Sequence, residues 1–213
     1  SLAGHAVTIF ESRPKPGGML RYAIPSYRLP KPVLDAEIRR ITDLGVEIRC
    51  NEEAGHTLSI ENLLKDFKAV YAAIGCQSTD KLGIAGEDDD AVFSGLDFLN
   101  RVAQGRMDVP GKQVLVAGGG NTAIDTARLL RRLGADVTLL YRRTRKDMPA
   151  HEFEIARALE EGVVMQFLCA PAGIKRNEHS LSVTCIKMKP GEKDASGRAR
   201  PVPVIGSEFT LAA

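Results

Sequence analysis

Several features that would assign a protein to a class at first sight are missing from this 213-residue sequence. No apolar run approaches the roughly eighteen residues of a membrane span, so no membrane segment is expected. The first residues do not show the basic-then-apolar pattern of a signal peptide. The formal net charge is only +2 and aromatic residues make up 5% of the chain, so neither nucleic acid nor an acidic membrane surface is favoured as a partner.

Cysteine and histidine are too few and too scattered to indicate a metal site or a redox disulfide. The sequence contains no C-x-x-C, which argues against a local zinc or iron–sulfur ligand set and against transfer of electrons to a thiol pair. A reduced, cytoplasmic setting is therefore expected. The scattered residues are Cys50, Cys76, Cys169, Cys185, His5, His56, His151 and His179.

The composition is that of an ordinary globular protein, with 44% hydrophobic and 26% charged residues. In the first part of the chain, predicted strands alternate with predicted helices. The predicted elements there are the strand Val7–Phe10 followed by Glu11, a long loop from Arg13 to Pro32, the helix Pro32–Leu44, the strand Val46–Arg49, the helix Ser59–Phe67 and a buried parallel strand, Ala69–Ile74.

A polar segment follows, and the alternation restarts at Gly111. The predicted elements of this part are a short helix around Phe98–Val102, the strand Val114–Ala117, the helix Thr122–Leu133, the strand Val137–Tyr141, the helix Glu152–Glu161 and the strand Val163–Leu168. The rest predicts a β-meander, with turn signals at Asn177-Glu178, Pro190-Gly191 and Ser196-Gly197. We therefore predict an α/β fold in which a Rossmann-like parallel sheet carries an antiparallel appendage.

The stretch "VLVAGGGNTAID" contains the motif Gly118-x-Gly120-x-x-Ala123 between a predicted strand and a predicted helix. In such a motif the first glycine permits a tight turn, the second lets the backbone approach a pyrophosphate, and the small third residue lets helix and sheet pack closely. The N–H groups of Asn121, Thr122 and Ala123 would then face the phosphates at the positive end of the helix dipole. A glycine turn that binds nothing is the alternative.

The next predicted strand ends in a basic run, "YRRTRKDMPA". An acid at this place would accept from the ribose 2′-hydroxyl of NAD, whereas arginines supply forked donors to the 2′-phosphate of NADP. Arg142, Arg143 and Arg145 therefore predict a preference for NADPH, with a solvated basic loop as the alternative. Three further arginines are predicted to form the solvent face of the preceding helix: Arg128, Arg131 and Arg132.

The first predicted strand, in contrast, ends in an acid, Glu11, followed by a Pro/Gly loop. That is how the second strand of a dinucleotide-binding βαβ unit ends when its carboxylate holds a ribose. Only six residues precede the strand, which leaves no room for the first strand and the glycine turn of such a unit.

Together, "VTIFESRPKPGGMLRYAIPSYRLPKPVLDAEI" and "VLVAGGGNTAIDTARLLRRLGADVTLLYRRTRKDMPA" resemble the small subunit of NADPH-dependent glutamate synthase and its relatives, which include the amino-terminal part of dihydropyrimidine dehydrogenase. The resemblance covers nearly the whole chain. It implies an FAD domain interrupted by an NADPH domain. On this basis residues 1–90 form part of the FAD-binding domain and residues 91–213 form the NADPH-binding domain.

The resemblance also implies roles for individual residues. Glu11 would hold the FAD ribose, Gly17, Gly18 and Met19 would line the flavin side, and Arg28 would contact FAD. The segment Ala72 to Gly75 would leave the FAD domain beneath the cofactor. The residues implied to hold NADPH are Gly118, Gly120, Asn121, Thr122, Ala123, Arg142, Arg143 and Arg145.

Members of the family carry a first strand and a glycine loop ahead of the counterpart of Leu2, continue beyond the counterpart of "EFTLAA", and have an amino-terminal cysteine region for iron–sulfur clusters. The chain is therefore expected to be an internal fragment that is inactive alone and binds FAD only weakly. Iron–sulfur clusters would belong to other segments or to a partner.

The implied reaction is hydride transfer from NADPH to FAD, followed by electron transfer through iron–sulfur centres to a large catalytic subunit or partner domain. Such transfer needs alignment and exclusion of water more than an acid or base, so no catalytic residue is assigned. Two alternatives stay open. One is a noncatalytic NADPH-binding or assembly module, and the other is the electron-input module of a different reductase, such as dihydropyrimidine dehydrogenase.

Overall fold

A computed structural model describes residues 1–178, 180–195 and 197–213 of the chain. The chain divides into two compact units, Ser1–Ser78 and Thr79–Ala213, each described below by itself. His179 and the first residue of the predicted Ser196-Gly197 turn lie outside the described residues. Among the residues described, no helix has the length and apolar character needed to cross a bilayer.

The first unit is built on two parallel strands, β1 (Val7–Glu11) and β2 (Val46–Cys50), paired in register from Val7 opposite Val46 onward. A short helix, α1 (Gly18–Tyr22), and a longer one, α2 (Lys31–Thr42), connect them. The helix α3 (Ile60–Asp66) follows β2, and the Ser59 hydroxyl accepts a hydrogen bond from the Asn62 N–H at its start. The segment predicted as a loop over Arg13 to Pro32 therefore contains one helical turn.

The predicted buried strand Ala69–Ile74 is wrong. These residues form no regular element, and Tyr71 is 91% exposed. A parallel strand satisfies its backbone groups only beside a neighbouring strand. Among the described residues this run pairs with no strand, so its apolar sequence alone does not make it one.

The second unit contains a parallel sheet in the order β3 (Gln113–Ala117), β4 (Asp136–Tyr141) and β5 (Val164–Phe167). The helices are α4 (Gly95–Ala103), α5 (Asn121–Arg132) and α6 (Glu152–Glu160). Their apolar faces pack on the sheet, and Ile124, Leu139 and Ile155 are completely or almost completely buried there. This arrangement confirms the predicted Rossmann-like parallel sheet.

An antiparallel sheet follows, formed by β6 (Cys169–Arg176), β7 (Leu181–Lys193), β8 (Ala199–Pro203) and β9 (Phe209–Ala212). The long strand β7 pairs with the other three. The predicted turn at Pro190-Gly191 is wrong, because both residues lie inside β7 at a register shift against β8. A Cβ at position 191 would come within 2.8 Å of the Val202 side chain. Because glycine has no Cβ, the two strands can pack closely here.

The segment before α4 is attached to the antiparallel sheet. The Ile174 N–H donates to the Ala85 carbonyl over 2.8 Å, and Arg176 forms an ion pair with Asp89. Gly86 has a φ of +80°, and a Cβ on it would overlap the Ile174 carbonyl. A glycine is therefore required where this segment meets β6.

Candidate nucleotide-binding site

The loop between β3 and α5 has the form that the glycine motif predicts. Gly118 has a φ of +144°, which side chains disfavour, and its N–H donates to the Leu140 carbonyl over 3.0 Å. A Cβ on Gly118 would lie 3.0 Å from the Cβ of Ala123. A small residue at each of these positions therefore brings α5 close to the end of the sheet.

The other two glycines of the loop differ in their surroundings. A Cβ on Gly119 would lie 2.6 Å from Cδ2 of the buried Tyr141 ring, so the fold itself requires a glycine there. Gly120 has an ordinary φ of −88°, and a Cβ on it would meet nothing within 4 Å. No neighbour among the described residues accounts for a glycine at position 120. The Gly119 contact was missed from the sequence, because the motif leaves that position unspecified.

The start of α5 lies at this open space. Gly120 is the N-cap residue and offers no side chain to the helix, whose first internal bond runs from the Ile124 N–H to the Gly120 carbonyl over 3.1 Å. The first N–H groups of a helix have no partners inside it, and here they belong to Asn121, Thr122 and Ala123. Together with the helix dipole they form a surface suited to an anion.

The basic loop after β4 is held rigidly against the glycine loop. The Ala150 N–H donates to the Gly119 carbonyl, and the His151 N–H donates to the Asn121 side chain, each over 3.2 Å. The Tyr141 hydroxyl donates to the Asp147 carbonyl over 2.7 Å. These bonds connect the two loops and attach the basic loop to the end of β4.

Inside the basic loop, Asp147 organises a 3₁₀ turn over Arg145–Asp147. Its carboxylate accepts from the hydroxyl and the N–H of Thr144, at 2.5 and 3.2 Å. The hydroxyl hydrogen bond is the main cause that lowers the pKa of Asp147, and the nearby Arg143 charge contributes.

The three arginines predicted to hold a phosphate lie in different environments. Arg142 is exposed and contacts no charged or hydrogen-bonding partner within the described part of the chain. The Arg143 side chain is only 11% exposed, and its guanidinium donates to Asp194 over 2.8 Å and to the Ala199 carbonyl over 2.9 Å. Arg145 forms an ion pair with Glu152. Arg142 is thus the most available of the three.

A narrow crevice lies between the end of β4 and the hairpin formed by β7 and β8. It brings Arg142 and Arg143 next to Lys189, a residue that the sequence did not single out because it is distant in the chain and lies in a strand. The lining residues are Arg142, Arg143, Thr144, Asp147, Leu168, Lys189, Pro190, Ala199 and Pro201.

The prediction that Arg128 belongs to the solvent face of α5 is wrong. Arg128 is 5% exposed and pairs with Glu154 and Glu161 of the neighbouring α6 segment. Helical spacing gives the position of a residue on its own helix, not the acids that a second helix places opposite it. Burial alone would raise the pKa of Glu161, but hydrogen bonds from Arg128 and Arg132 outweigh it and the pKa is lowered.

The residues predicted to contact FAD lie in the first unit. The Glu11 carboxylate, at the end of β1, accepts from the Arg13 N–H over 2.9 Å through Oε1. Gly17 and Gly18 have φ values of +128° and +48° at the start of α1, so the backbone itself explains both glycines. The remaining predicted positions are Met19 inside α1, the half-buried Arg28 and the exposed Gly75, whose φ is +69°.

The motif around α1 also contains a structural arginine that the sequence did not indicate. Arg21 is buried, donates to the Pro16 carbonyl over 2.5 Å and pairs with Asp35 of α2. The ammonium of Lys31 donates to the carbonyls of Leu20 and Ile24, at 2.9 and 2.7 Å, near the end of α1. These contacts fix the loop that follows Glu11.

Neither a metal site nor a disulfide is seen in the described ranges. No group of three or more histidine, cysteine, aspartate or glutamate residues is placed to hold a metal ion in the part of the chain that the structure covers. Cys50, Cys76, Cys169 and Cys185 are free thiols. Burial, with a smaller contribution from Cys169, raises the pKa of the Cys185 thiol to about 11.

Comparison with known proteins gives matches over almost the whole chain. A family model for pyridine nucleotide-disulphide oxidoreductases matches residues 3–198. The beta subunit of NADP(+)-dependent formate dehydrogenase of Moorella thermoacetica is 44% identical over 98% of this chain and 30% of its own length. The glutamate synthase [NADPH] small chain of Escherichia coli is 35% identical over 99% of this chain and 48% of its own length, which confirms the resemblance seen in the sequence.

The beta subunit of NADPH-Fe(3+) oxidoreductase of Geobacter sulfurreducens is 43% identical over 99% of this chain and 33% of its own length. The chain thus spans about a third to a half of these relatives. Among solved structures, Mycobacterium tuberculosis FprA in complex with NADPH has a TM-score of 0.82 at 20% identity, over 98% of this chain and 62% of the other. That likeness concerns the fold.

Proposed function

Because this chain belongs to the pyridine nucleotide-disulphide oxidoreductase family, we propose that it is the NADPH-binding part of an oxidoreductase subunit. In the proposed reaction a hydride passes from NADPH to FAD, and the electrons continue to iron–sulfur centres, as inferred for a subunit of the glutamate synthase small-chain type. The observation that carries the proposal is the open space at Gly120.

Gly120 is informative because the fold does not need it. Gly118 has a positive φ and Gly119 adjoins the Tyr141 ring, but position 120 has neither constraint. A side chain there would project into the space in front of the α5 N-terminus. A glycine is explained if the backbone must approach a pyrophosphate, and so the loop fits a dinucleotide.

Arg142 supports the choice of NADPH over NADH. It follows the last residue of β4, where the adenosine ribose lies in folds of this type, and within the described residues it has no competing partner. A guanidinium binds a phosphate through forked, charge-assisted hydrogen bonds. The residue directly after β4 is Arg142 and not an acid that would accept from a 2′-hydroxyl.

The residues of the site bind and orient; none of them is needed as an acid or a base. The N–H groups at the start of α5 would hold the pyrophosphate, while Arg142 would fix the adenosine end. NADPH, when bound, supplies the hydride. Its transfer to a flavin depends on alignment, and the hydrogen bonds that join the two loops favour alignment by holding the loops together.

The first unit fits FAD only in part. The second carboxylate oxygen of Glu11 has no partner among the described residues and could accept from a ribose hydroxyl. Yet the described residues of this unit contain no strand followed by a glycine loop and a full-length helix, which is the usual pyrophosphate cradle. A noncatalytic NADPH-binding or assembly module is the second candidate function.

The final electron acceptor and the partner chain are proposed only as classes. Relatives of similar identity carry the names of formate dehydrogenase, NADPH-Fe(3+) oxidoreductase and glutamate synthase subunits. A common input module with different acceptors is consistent with these names. A larger catalytic subunit or an iron–sulfur domain is the proposed partner.

Calorimetric titration of the chain with NADPH and NADH tests the proposal. We expect NADPH to bind at least about tenfold more tightly, and Arg142→Glu to remove most of that preference, since one charge-assisted contact contributes about 1.5–3 kcal/mol. Arg157→Glu, on the exposed face of α6, is the matched control. Equal affinities in the unmodified chain would refute the NADPH assignment.

Flavin absorption in the purified chain would favour the catalytic candidate, and its absence after reconstitution with FAD would favour the noncatalytic one.

A further inference from the structure

The crevice beside the end of β4 contains more positive charge than the basic loop alone provides. Lys189 of β7, opposite Val202 of β8, lines it together with Arg142 and Arg143. Lys189 is exposed, and within the described ranges its ammonium forms neither a hydrogen bond nor an ion pair. A lysine without a partner, lying beside two arginines, is a candidate for binding an anion.

The charges in and around the crevice show why a third cation matters. Asp194 pairs with Arg143, and Asp147 lines the crevice with its carboxylate ionised, so two negative charges accompany the two arginines. Arg143 is paired with Asp194, so Arg142 and Lys189 are the lining cations that have no partner among the described residues. Lys189 therefore adds to the positive charge that is available to a phosphate dianion.

The position of Lys189 is fixed by the same hairpin that holds Arg143. The Met188 N–H donates to the Leu168 carbonyl over 2.7 Å, and the Ala199 carbonyl accepts from Arg143 over 2.9 Å. The backbone on either side of the crevice is therefore anchored to the end of β4 and the residue after β5. The side chains of Lys189 and Arg142 are then the groups that must become ordered when an anion binds.

We propose that Lys189 is a specificity-determining residue that binds the 2′-phosphate of NADPH together with Arg142. The inference rests on the proposed function, since it assigns a further residue to the same nucleotide site. It also gives the antiparallel sheet a direct part in cofactor selection. Arg143 then acts mainly as a positioning residue that attaches the hairpin to the nucleotide site.

The test compares Lys189→Gln with Lys175→Gln, an exposed lysine of β6 that does not line the crevice. Both variants are titrated with NADPH, NADH, adenosine 2′,5′-bisphosphate and 5′-AMP, and thermal denaturation verifies that each is folded. For Lys189→Gln we expect binding of NADPH and of the bisphosphate to weaken about five- to tenfold, with NADH and 5′-AMP unchanged. The salt dependence of NADPH binding should also become shallower. Lys175→Gln should bind all four ligands as the unmodified chain does.

The outcomes separate this inference from the function on which it rests. If the unmodified chain prefers NADPH and Lys189→Gln retains the full preference, only the role of Lys189 is overturned. If the unmodified chain binds NADPH and NADH equally, the NADPH assignment is overturned, and so is the proposed role of Lys189 in binding the 2′-phosphate. An equal loss of NADH and NADPH binding in Lys189→Gln would indicate a general effect on the site and would also overturn the inference.

Discussion

Replacing Gly120 by alanine should abolish nucleotide binding while leaving the fold intact. The new methyl group would meet no atom within 4 Å, and the φ of −88° suits any residue. Alanine is a poorer N-cap than glycine by roughly 0.5–1 kcal/mol, but it reduces the entropy of the unfolded chain by a similar 0.4–1 kcal/mol. The two effects nearly cancel, so the free energy of unfolding should change by less than about 1 kcal/mol.

Gly119→Ala is the matched control, one residue away and chemically identical. Its Cβ would lie 2.6 and 2.8 Å from atoms of the Tyr141 ring, which is buried and fixed by its hydroxyl bond to Asp147. Overpacking of this kind costs about 1–3 kcal/mol. The melting temperature should therefore fall by roughly 3–10 °C.

Thermal denaturation and NADPH calorimetry on both variants give two independent readouts. Gly120→Ala should melt within about 3 °C of the unmodified chain and lose NADPH affinity by at least about a hundredfold, because a methyl group would occupy the approach to the pyrophosphate. Normal NADPH binding by Gly120→Ala would refute the argument, since position 120 would then be glycine for a reason unrelated to the nucleotide. Strong destabilisation of Gly120→Ala would show that the space in front of α5 is not open.

The ion pairs between α5 and α6 and the buried thiols lead to three more predictions. Arg128→Ala should cost about 3–5 kcal/mol in urea denaturation, because it removes the buried guanidinium that pairs with Glu154 and Glu161, whereas the exposed control Arg157→Ala should cost less than about 0.5 kcal/mol. Since arginine hydrogen bonds lower the pKa of Glu161 despite its burial, its contribution to stability is present above its ordinary pKa of 4.5 and is lost as the pH falls below it. Glu161→Gln should accordingly flatten the loss of stability with acid, and an unchanged slope would contradict this. Iodoacetamide at pH 8 should label the exposed Cys76 in the folded chain but not Cys185, whose raised pKa and burial suppress the thiolate. Mass spectrometry before and after unfolding would detect any early labelling of Cys185.

Elements with a strong local pattern could be predicted from the sequence almost to the residue. The helix predicted over Thr122–Leu133 is observed as Asn121–Arg132, and the strand predicted over Val137–Tyr141 is observed as Asp136–Tyr141. Apolar residues mark both elements, and Gly134 lies between them. The strand predicted over Ala69–Ile74 did not form, because pairing with a neighbour is a property of the whole sheet and not of the six residues.

The same contrast applies to the candidate site. The spacing of Gly118, Gly120 and Ala123 could be interpreted because each residue acts through its own backbone or size. The environment of Arg143 could not be predicted from the sequence, because its partner Asp194 belongs to a hairpin that is distant in the chain. Lys189 was missed for the same reason. Charge runs show which side chains are cationic, but only the fold shows which of them remain available.

The hydrogen bonds between Ala150 and Gly119 and between His151 and Asn121 have a consequence for which molecules could fit. They join the turn that would receive the pyrophosphate to the loop that would receive the adenosine end of the nucleotide. The distance between these two parts of the site is therefore fixed by the protein. A ligand is then measured by its length as well as its charge. Adding or removing a residue between Arg142 and His151 would alter which dinucleotides fit, even with every contacting side chain left in place.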